Sequence, residues 1–297
     1  MTLEFGRRAM LGGVTAMAGV ALADTVNSAH AKISKRPLAR HSHKIETRFV
    51  EFANPIEEFE AHFRMERDLV ESQGTALTWY HWLLYLVPGD QSPITLLRYE
   101  GMEYSYFRKV ADHTYRIHAH NVSMPLGLET NDYISSLKNP VTGETVAVPT
   151  SLLLNDPGTV HSPKGFRNLT GDGSYVQPYR QFRVENSMLK LDSVRTAPPH
   201  WPINHMESSI QEIPYESFLD KRISNLLCTS KAVYVFPYSK WLGMGDRPGH
   251  LLGFIDAYKI PSVDDFPDPF LHRMQREHPE LLEPRWGEFS RAASFAY

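Results

Sequence analysis

Apolar and polar residues alternate in short segments along most of this chain, and the alternation predicts a protein built mainly of β-strands. Residues 114–122 show it most clearly, because successive side chains on a strand point to opposite faces. One face would carry Tyr115, Ile117 and Ala119, and the other Arg116, His118 and His120. Similar segments bounded by turn residues predict strands over residues 75–87, 94–107, 145–154, 175–184, 188–194, 201–213, 233–238 and 251–260.

Helical periodicity is confined to a few segments. Asn54 and Pro55 predict the start of a helix, as N-cap and first-turn residues, and Gly74 is expected to end it. Residues 215–227 and 270–278 predict two more helices. Many strands and few helices favour a mainly β (α+β) fold, with a curled antiparallel sheet or a lipocalin/calycin-like barrel, an N-terminal helix and C-terminal helical segments. We expect a single β-rich domain over residues 51–297, preceded by a flexible lead-in over residues 32–50.

The most distinctive stretch is residues 241–253 (WLGMGDRPGHLLG), which contains four glycines and one proline between two apolar segments. It is typical of a strand, a corner and a second strand. In one interpretation the corner is structural and is held in place by Asp246 and Arg247. In the other it forms the rim of a ligand pocket, with Trp241 and Met244 as an apolar wall and Arg247 beside them.

The first 31 residues have the pattern of an export signal. Arg7 and Arg8 precede an apolar stretch over residues 10–23, and residues 29–31 (AHA) form a small-x-small cleavage site. The arginine pair indicates the twin-arginine route, so we expect cleavage after Ala31, the export machinery as a partner and a periplasmic location. No later stretch reaches about 18 apolar residues, and stable membrane insertion is therefore not expected.

Composition excludes several function classes. The formal net charge is −3, which gives no support for nucleic-acid binding. The single cysteine, Cys228, excludes an internal disulfide and a cysteine-rich metal site. The sequence has no Gly-x-Ser-x-Gly motif, no phosphate-binding loop and no Gly-x-Gly-x-x-Gly motif at the start of a helix. No cofactor is therefore predicted, and the fourteen histidines are the main chemical resource.

Several motifs occur together in a fixed order: residues 139–144 (NPVTGE), 155–157 (NDP), 241–249 (WLGMGDRPG) and 258–259 (YK), followed by a tail with prolines at positions 267, 279 and 284. In this combination the chain resembles the uncharacterised family called domain of unknown function 1838, whose members are bacterial and fungal. The resemblance covers roughly residues 50–285. It implies a mainly β build and frequent export, and it implies no reaction.

Histidines supply the candidate catalytic residues. His118 and His120 share one predicted strand face, a geometry that suits either acid/base chemistry or a metal ion. His205 is a third candidate, and Asp156 or Asp246 could orient an imidazole. Two solvated or hydrogen-bonded histidines at a pocket edge are the alternative for positions 118 and 120.

An unusually high density of aromatic residues between positions 79 and 107 suggests a ligand cavity, with Trp79, Trp82 and Tyr104 as candidate binding residues. The first hypothesis is an exported protein that binds a small apolar or aromatic molecule inside the barrel. The second is a cofactor-independent lyase, isomerase or hydrolase that uses histidine acid/base chemistry in the same cavity. The third is an enzyme with a histidine-bound metal. The same aromatic residues would simply form a core if no cavity exists.

Overall fold

A computed structural model describes residues 46–153, 158–169, 174–196 and 206–283. The proposed export signal and most of the lead-in lie outside this part of the chain. None of the helices in the described ranges is long and apolar enough to cross a membrane.

The described residues are mainly β-strands. The elements are, in chain order, β1 (Thr47–Phe49), α1 (Pro55–Glu66), β2 (Gln73–Pro88), β3 (Ile94–Ala111), β4 (Thr114–Leu126), β5 (Ser136–Lys138), β6 (Thr145–Ala147), β7 (Ser151–Leu153), β8 (Thr159–Ser162), β9 (Gly165–Asn168), β10 (Tyr179–Glu185), β11 (Met188–Thr196), β12 (Met206–Pro214), α2 (Tyr215–Leu219), β13 (Thr229–Phe236), β14 (Gly249–Ile260) and α3 (Asp268–Glu277). Short 3-10 helices occur at Lys240–Leu242, Val263–Asp265 and Pro279–Leu281.

Twelve strands form one antiparallel sheet, which confirms the mainly β prediction. The strand order is β1-β10-β11-β12-β13-β14-β2-β3-β4-β8-β9, with β7 also paired to β4, while β5 and β6 form a separate hairpin. Within the described ranges, no pairing joins β9 to β1, so no closed barrel is formed by the observed hydrogen bonds. The long central strands β2 and β3 result from continuous runs of aromatic and aliphatic residues, which favour extended backbone.

The α1 helix begins as predicted. The Asn54 side chain accepts hydrogen bonds from the backbone N–H groups of Ile56 and Glu57, at 2.9 and 3.1 Å. The predicted end at Gly74 is wrong, because the helix stops at Glu66 and Gly74 lies in β2. A β-carbon at Gly74 would lie 2.7 Å from the Phe107 ring, so this glycine makes room for a neighbouring aromatic residue and does not end a helix.

We call the face of the sheet that carries α1 the inner face, and the opposite one the outer face. Phe59 and Phe63 of α1 pack with Phe107 and Ile117 at one end of the strand order, while Met65 packs with Leu191 at the other. The two ends of the order also meet directly, since the Arg195 guanidinium lies 5.8 Å from the centre of the Phe166 ring. The sheet therefore bends around α1.

Two apolar layers cover the ends of the inner face. One is formed by α1, and the other by the segment that includes Leu242 and Met244, packed on β2 and β3. On the outer face, Phe270 and Met274 of α3 pack against Tyr106 and its neighbours. This arrangement leaves the middle of the inner face between the two layers.

Several predicted elements are shorter than expected. The strand predicted over residues 145–154 is divided into β6 and β7, and the helix predicted over residues 215–227 ends at Leu219. The strands predicted over residues 175–184 and 188–194 are observed as β10 and β11, which form a hairpin through Asn186 and Ser187, both with positive φ. The third predicted helix is confirmed with a small shift, as α3.

Candidate functional site

Ionisable side chains are concentrated in the middle of the inner face. They come from α1 and from strands on both sides of it, because the register places alternate residues of each strand on this face. We call this group the inner polar cluster; its members are His62, Glu66, Arg67, Asp68, Glu103, His161, Arg180, Arg195, Glu207, Gln211, Tyr234 and Lys259.

Glu66, the last residue of α1, lies at the centre of the cluster. Its Oε1 is 2.9 Å from Nε2 of His62, one turn earlier, and it also accepts a hydrogen bond from Nε2 of Gln211 on β12, again at 2.9 Å. Arg180 on β10 and Arg195 on β11 both interact electrostatically with this carboxylate. The helix end is thus connected to three strands of the sheet.

Burial favours the neutral form of Glu66, but His62 and Arg67 outweigh it, and the pKa of Glu66 lies well below its usual value. Burial lowers the pKa of His62, and the charges of Arg180 and Arg67 act in the same direction. At neutral pH the pair is therefore a carboxylate and a neutral imidazole. Because Nε2 faces the carboxylate, it carries the proton, and Nδ1 is left as an acceptor.

A second buried pair joins β11 to β12. Nε of Arg195 donates to Oε2 of Glu207 at 2.6 Å, and Tyr234 on β13 is hydrogen-bonded to the same carboxylate. Burial by itself would lower the pKa of Arg195, but Glu207 reverses the effect and raises it. Although burial acts strongly on this guanidinium, 36% of the Arg195 side chain is solvent-accessible.

A third pair lies just beyond the end of α1. Lys259 on β14 donates a hydrogen bond to the backbone carbonyl of Arg67, and its charge acts on Asp68. Burial raises the pKa of Asp68 to about 6 and lowers that of Lys259 to about 8. Both groups therefore titrate within two pH units of neutrality, a common feature of functional sites.

Six buried side-chain atoms in the described residues have no hydrogen-bond partner, and all six belong to the inner face or to the end of α1. They are His62 Nδ1, Arg67 Nε, Asp68 Oδ1, Trp82 Nε1, Arg180 Nε and Gln211 Oε1. Folded proteins satisfy nearly all such groups, because each unpaired one costs about 1–3 kcal/mol. Three of these atoms are donors and three are acceptors, and five of the six lie at the end of α1 or on the strands beside it.

Small side chains line the strands beneath the inner polar cluster. Ser193, Ser209 and Ala232 form one row across three adjacent strands, and Ala76, Ser105 and Ala119 form another. Tyr80 lies over Gly101, where a β-carbon would be 2.6 Å from its ring, and its hydroxyl is 2.8 Å from Ser123 Oγ. Ala76 packs in the same apolar group as Phe59 and Phe63, so these short side chains let α1 lie close to the sheet.

The structure places the predicted histidine pair elsewhere. His118 and His120 do share one strand face, as expected, but it is the outer face, where they pair across the ladder with Tyr106 and Tyr104. Both are buried, and the Tyr106 and His120 rings lie 5.1 Å apart. In the described part of the chain, no group of three or more histidine, cysteine, aspartate or glutamate residues could hold a metal ion. His205 and Asp156 lie outside the described residues.

The glycine-rich corner is built as a structural element. Met244 is buried, and Nδ2 of Asn139 donates to the carbonyl of Leu242 at 2.7 Å. Arg247 donates to the carbonyl of Met244 at 3.0 Å. Trp241 packs on the same apolar layer, whereas Asp246 is exposed. The corner therefore closes one end of the inner face, and its side chains are not part of the inner polar cluster.

The three predicted aromatic ligand residues are divided between the two faces. Trp79 stacks on Tyr258 on the outer face, with ring centres 5.4 Å apart, and Tyr104 packs beneath α3. Trp82 lies on the inner face between Tyr99 and Phe236, with its indole N–H unpaired. Which face each aromatic side chain occupies depends on how the strands pair and on which face α1 covers. The sequence pattern alone does not give this information.

Sequence reasoning did not identify the inner polar cluster. One signal was present, since His62 and Glu66 are four residues apart on a predicted helix and must lie on one face of it. The strand residues Arg180, Arg195 and Gln211 gave no such signal, because their meeting depends on the curvature of the sheet.

Comparison with known proteins adds no identification: no family model and no curated protein matches this chain.

Proposed function

We propose that this protein binds a small molecule on the inner face of a lipocalin/calycin-like curved sheet, between the two apolar layers. The observation that carries the proposal is the group of six unpaired buried polar atoms on the inner face and at the end of α1. The charged groups gathered around Glu66 support it, since they would recognise a polar molecule. The family resemblance and export through the twin-arginine route, to the periplasm, remain part of the proposal.

The ligand combines an aromatic or apolar body with polar groups. Trp82, half-buried on the inner face with its indole N–H unpaired, is the aromatic residue proposed to contact the body of the ligand. A purely apolar ligand would leave the buried donors and acceptors unpaired, at a cost of about 1–3 kcal/mol each. The expected ligand is therefore more polar than the aromatic content of the sequence suggests.

Native mass spectrometry of the mature protein, purified from the periplasm, tests the proposal. We expect a non-covalent adduct of small-molecule mass that survives gentle desolvation and is lost on denaturation. Gln211→Leu removes one unpaired acceptor and should weaken retention. Gln181→Leu is the matched control, because Gln181 alternates with Phe182 and faces outward. Equal retention by the two variants, or no adduct in any preparation, would count against the proposal.

Acid/base catalysis in the same place is the second candidate function. It is favoured by one observation, the near-neutral titration of Asp68 and Lys259 beside the orphaned atoms. If the adduct is a substrate or a product, incubation should change its mass or its isomeric form, and chromatography of the released compound would show this change. Elemental analysis of the same samples tests the metal hypothesis directly.

A further inference from the structure

We propose that His62 is a general base that removes a proton from the bound molecule, that Glu66 orients it, and that Arg180 stabilises the negative charge formed. This inference rests on the proposed binding site and specifies its chemistry. The substrate class consists of compounds whose deprotonation places negative charge on an oxygen atom, such as enolisable carbonyl compounds.

The state of the imidazole is the first step of the argument. Nε2 of His62 is 2.9 Å from Glu66 Oε1, and the carboxylate is held in turn by Gln211 at 2.9 Å. This contact fixes the ring orientation and the tautomer, as a carboxylate does in other histidine bases. Nδ1 is buried and has no hydrogen-bond partner, so its lone pair is not used by the described part of the fold.

The position of Arg180 is the second step. Its Nη1 is 3.9 Å from Oε1 of Glu58, which lies one helical turn before His62 on α1. The guanidinium charge acts on His62 and on Glu66, so it lies against the same side of the helix. Its Nε is buried without a partner. A basic nitrogen and a cationic N–H donor are thus both unpaired beside one helix face.

The groups around His62 keep the base neutral. The negative charge of Glu66 raises the pKa of His62, whereas burial and the charges of Arg180 and Arg67 lower it. The nearby His161 on β8 is also neutral, since burial lowers its pKa well below the usual value. A base in this state accepts a proton at neutral pH without prior deprotonation.

Elimination of 5-nitrobenzisoxazole is a suitable probe reaction. His62 Nδ1 takes the C3 proton, the C–H electron pair forms the nitrile, the N–O bond breaks, and the oxygen leaves as a phenolate beside Arg180. The product, 2-cyano-4-nitrophenolate, absorbs visible light, and the imidazolium returns its proton to water. The reaction needs no oxidant, reductant or cofactor.

We expect saturable elimination by the mature protein and a loss of about 100-fold in kcat for His62→Gln, the lower end of the usual contribution of a general base. The rate should be constant above the ordinary histidine pKa and fall at lower pH. Glu66→Gln should lower the rate and change this pH profile, which a purely structural role would not do. His81→Gln is the control, because His81 also faces a carboxylate, that of Asp256 at 3.4 Å, but lies half-exposed on the outer face.

Nitrogen NMR of His62 supplies an independent measurement, with His62→Gln for assignment. A proton on Nε2 and none on Nδ1 at neutral pH supports the inference. A proton on Nδ1, or direct pairing of Nδ1 with Arg180, overturns it, and so does a rate that is the same in His62→Gln or absent in the wild type. Retention of the native ligand, measured by mass spectrometry, tests the binding site separately from this chemistry.

Discussion

Two pairs of buried histidines, one in β4 on the outer face and one from α1 and β8 on the inner side, have different surroundings. His118 and His120, on the outer face, pack among aromatic side chains beneath α3. His62 and His161, on the inner face, lie among arginines, carboxylates and unpaired polar atoms. All four are buried to a similar degree. Burial of a histidine therefore does not by itself support a site, and the proposal for His62 rests on the charges and unpaired atoms around it.

The inner polar cluster should also be the region most sensitive to loss of one charge. Replacing Glu66 by Leu leaves His62, Arg67 and Arg180 without their common partner. Because removal of one member of a buried ion pair leaves uncompensated charge, we expect destabilisation of about 3–5 kcal/mol. Urea unfolding followed by circular dichroism measures it. Glu66→Gln removes the same charge but keeps the shape of the side chain, so it should cost nearly as much, and a much smaller loss would show that volume, not charge, matters here.

The helices α1 and α3 allow a comparison of packing on the two faces. Phe63 on the inner face and Phe270 on the outer face are both fully buried. Replacing either by Ala should destabilise the protein by about 3–5 kcal/mol, because a ring is removed from a packed layer. Only Phe63→Ala should also weaken ligand retention, since Phe63 belongs to the helix that carries His62. If Phe270→Ala also weakens ligand retention, packing on the outer face affects the inner face and the two faces do not act independently.

Two glycines of the glycine-rich corner should differ in how much an alanine at their position destabilises the protein. At Gly249 φ is +130°, and a β-carbon would lie 2.2 Å from the carbonyl oxygen of Val87, so Gly249→Ala should destabilise by more than about 1–2 kcal/mol. At Gly243 φ is +65° and no atom lies within 4 Å of the added carbon. Gly243→Ala should therefore cost only about 1 kcal/mol, for the left-handed backbone. Thermal unfolding of both variants should show a larger loss of stability for Gly249→Ala than for Gly243→Ala. The opposite ranking would mean that the corner rearranges around the new side chain.

Local elements of this fold were predictable because their signals are short-range. Asn54 and Pro55 mark the start of α1, and alternation along residues 114–122 correctly separates Ile117 from His118. The early end of α1 was not predictable, because Gly74 serves the packing of Phe107, which is far along the chain. The cluster around Glu66 required the register of β10–β12 and the bending of the sheet. Such contacts are set by the whole fold, and no motif encodes them.

A pH dependence of stability should arise from Asp68. Its pKa is about 6 in the folded protein, above the value near 3.9 of an unfolded chain, so the folded state binds this proton more tightly. The associated stability is present below about pH 4 and is lost as the pH rises through 6. Asp68→Asn should remove this decrease, which urea midpoints from pH 4 to 7 would show. An unchanged profile would mean that Asp68 is solvated as in the unfolded chain.

The smallest functional effect is expected at the outer-face histidines. His118→Gln and His120→Gln disturb packing near Tyr106 and Tyr104, so both variants should lose some thermal stability. Neither should change ligand retention or the elimination rate, because both side chains point away from the inner face. Mass spectrometry and the visible-light assay on folded variants measure these two quantities. If His120→Gln weakened ligand retention as much as His62→Gln does, the functional site would lie on the outer face and the proposal would be wrong.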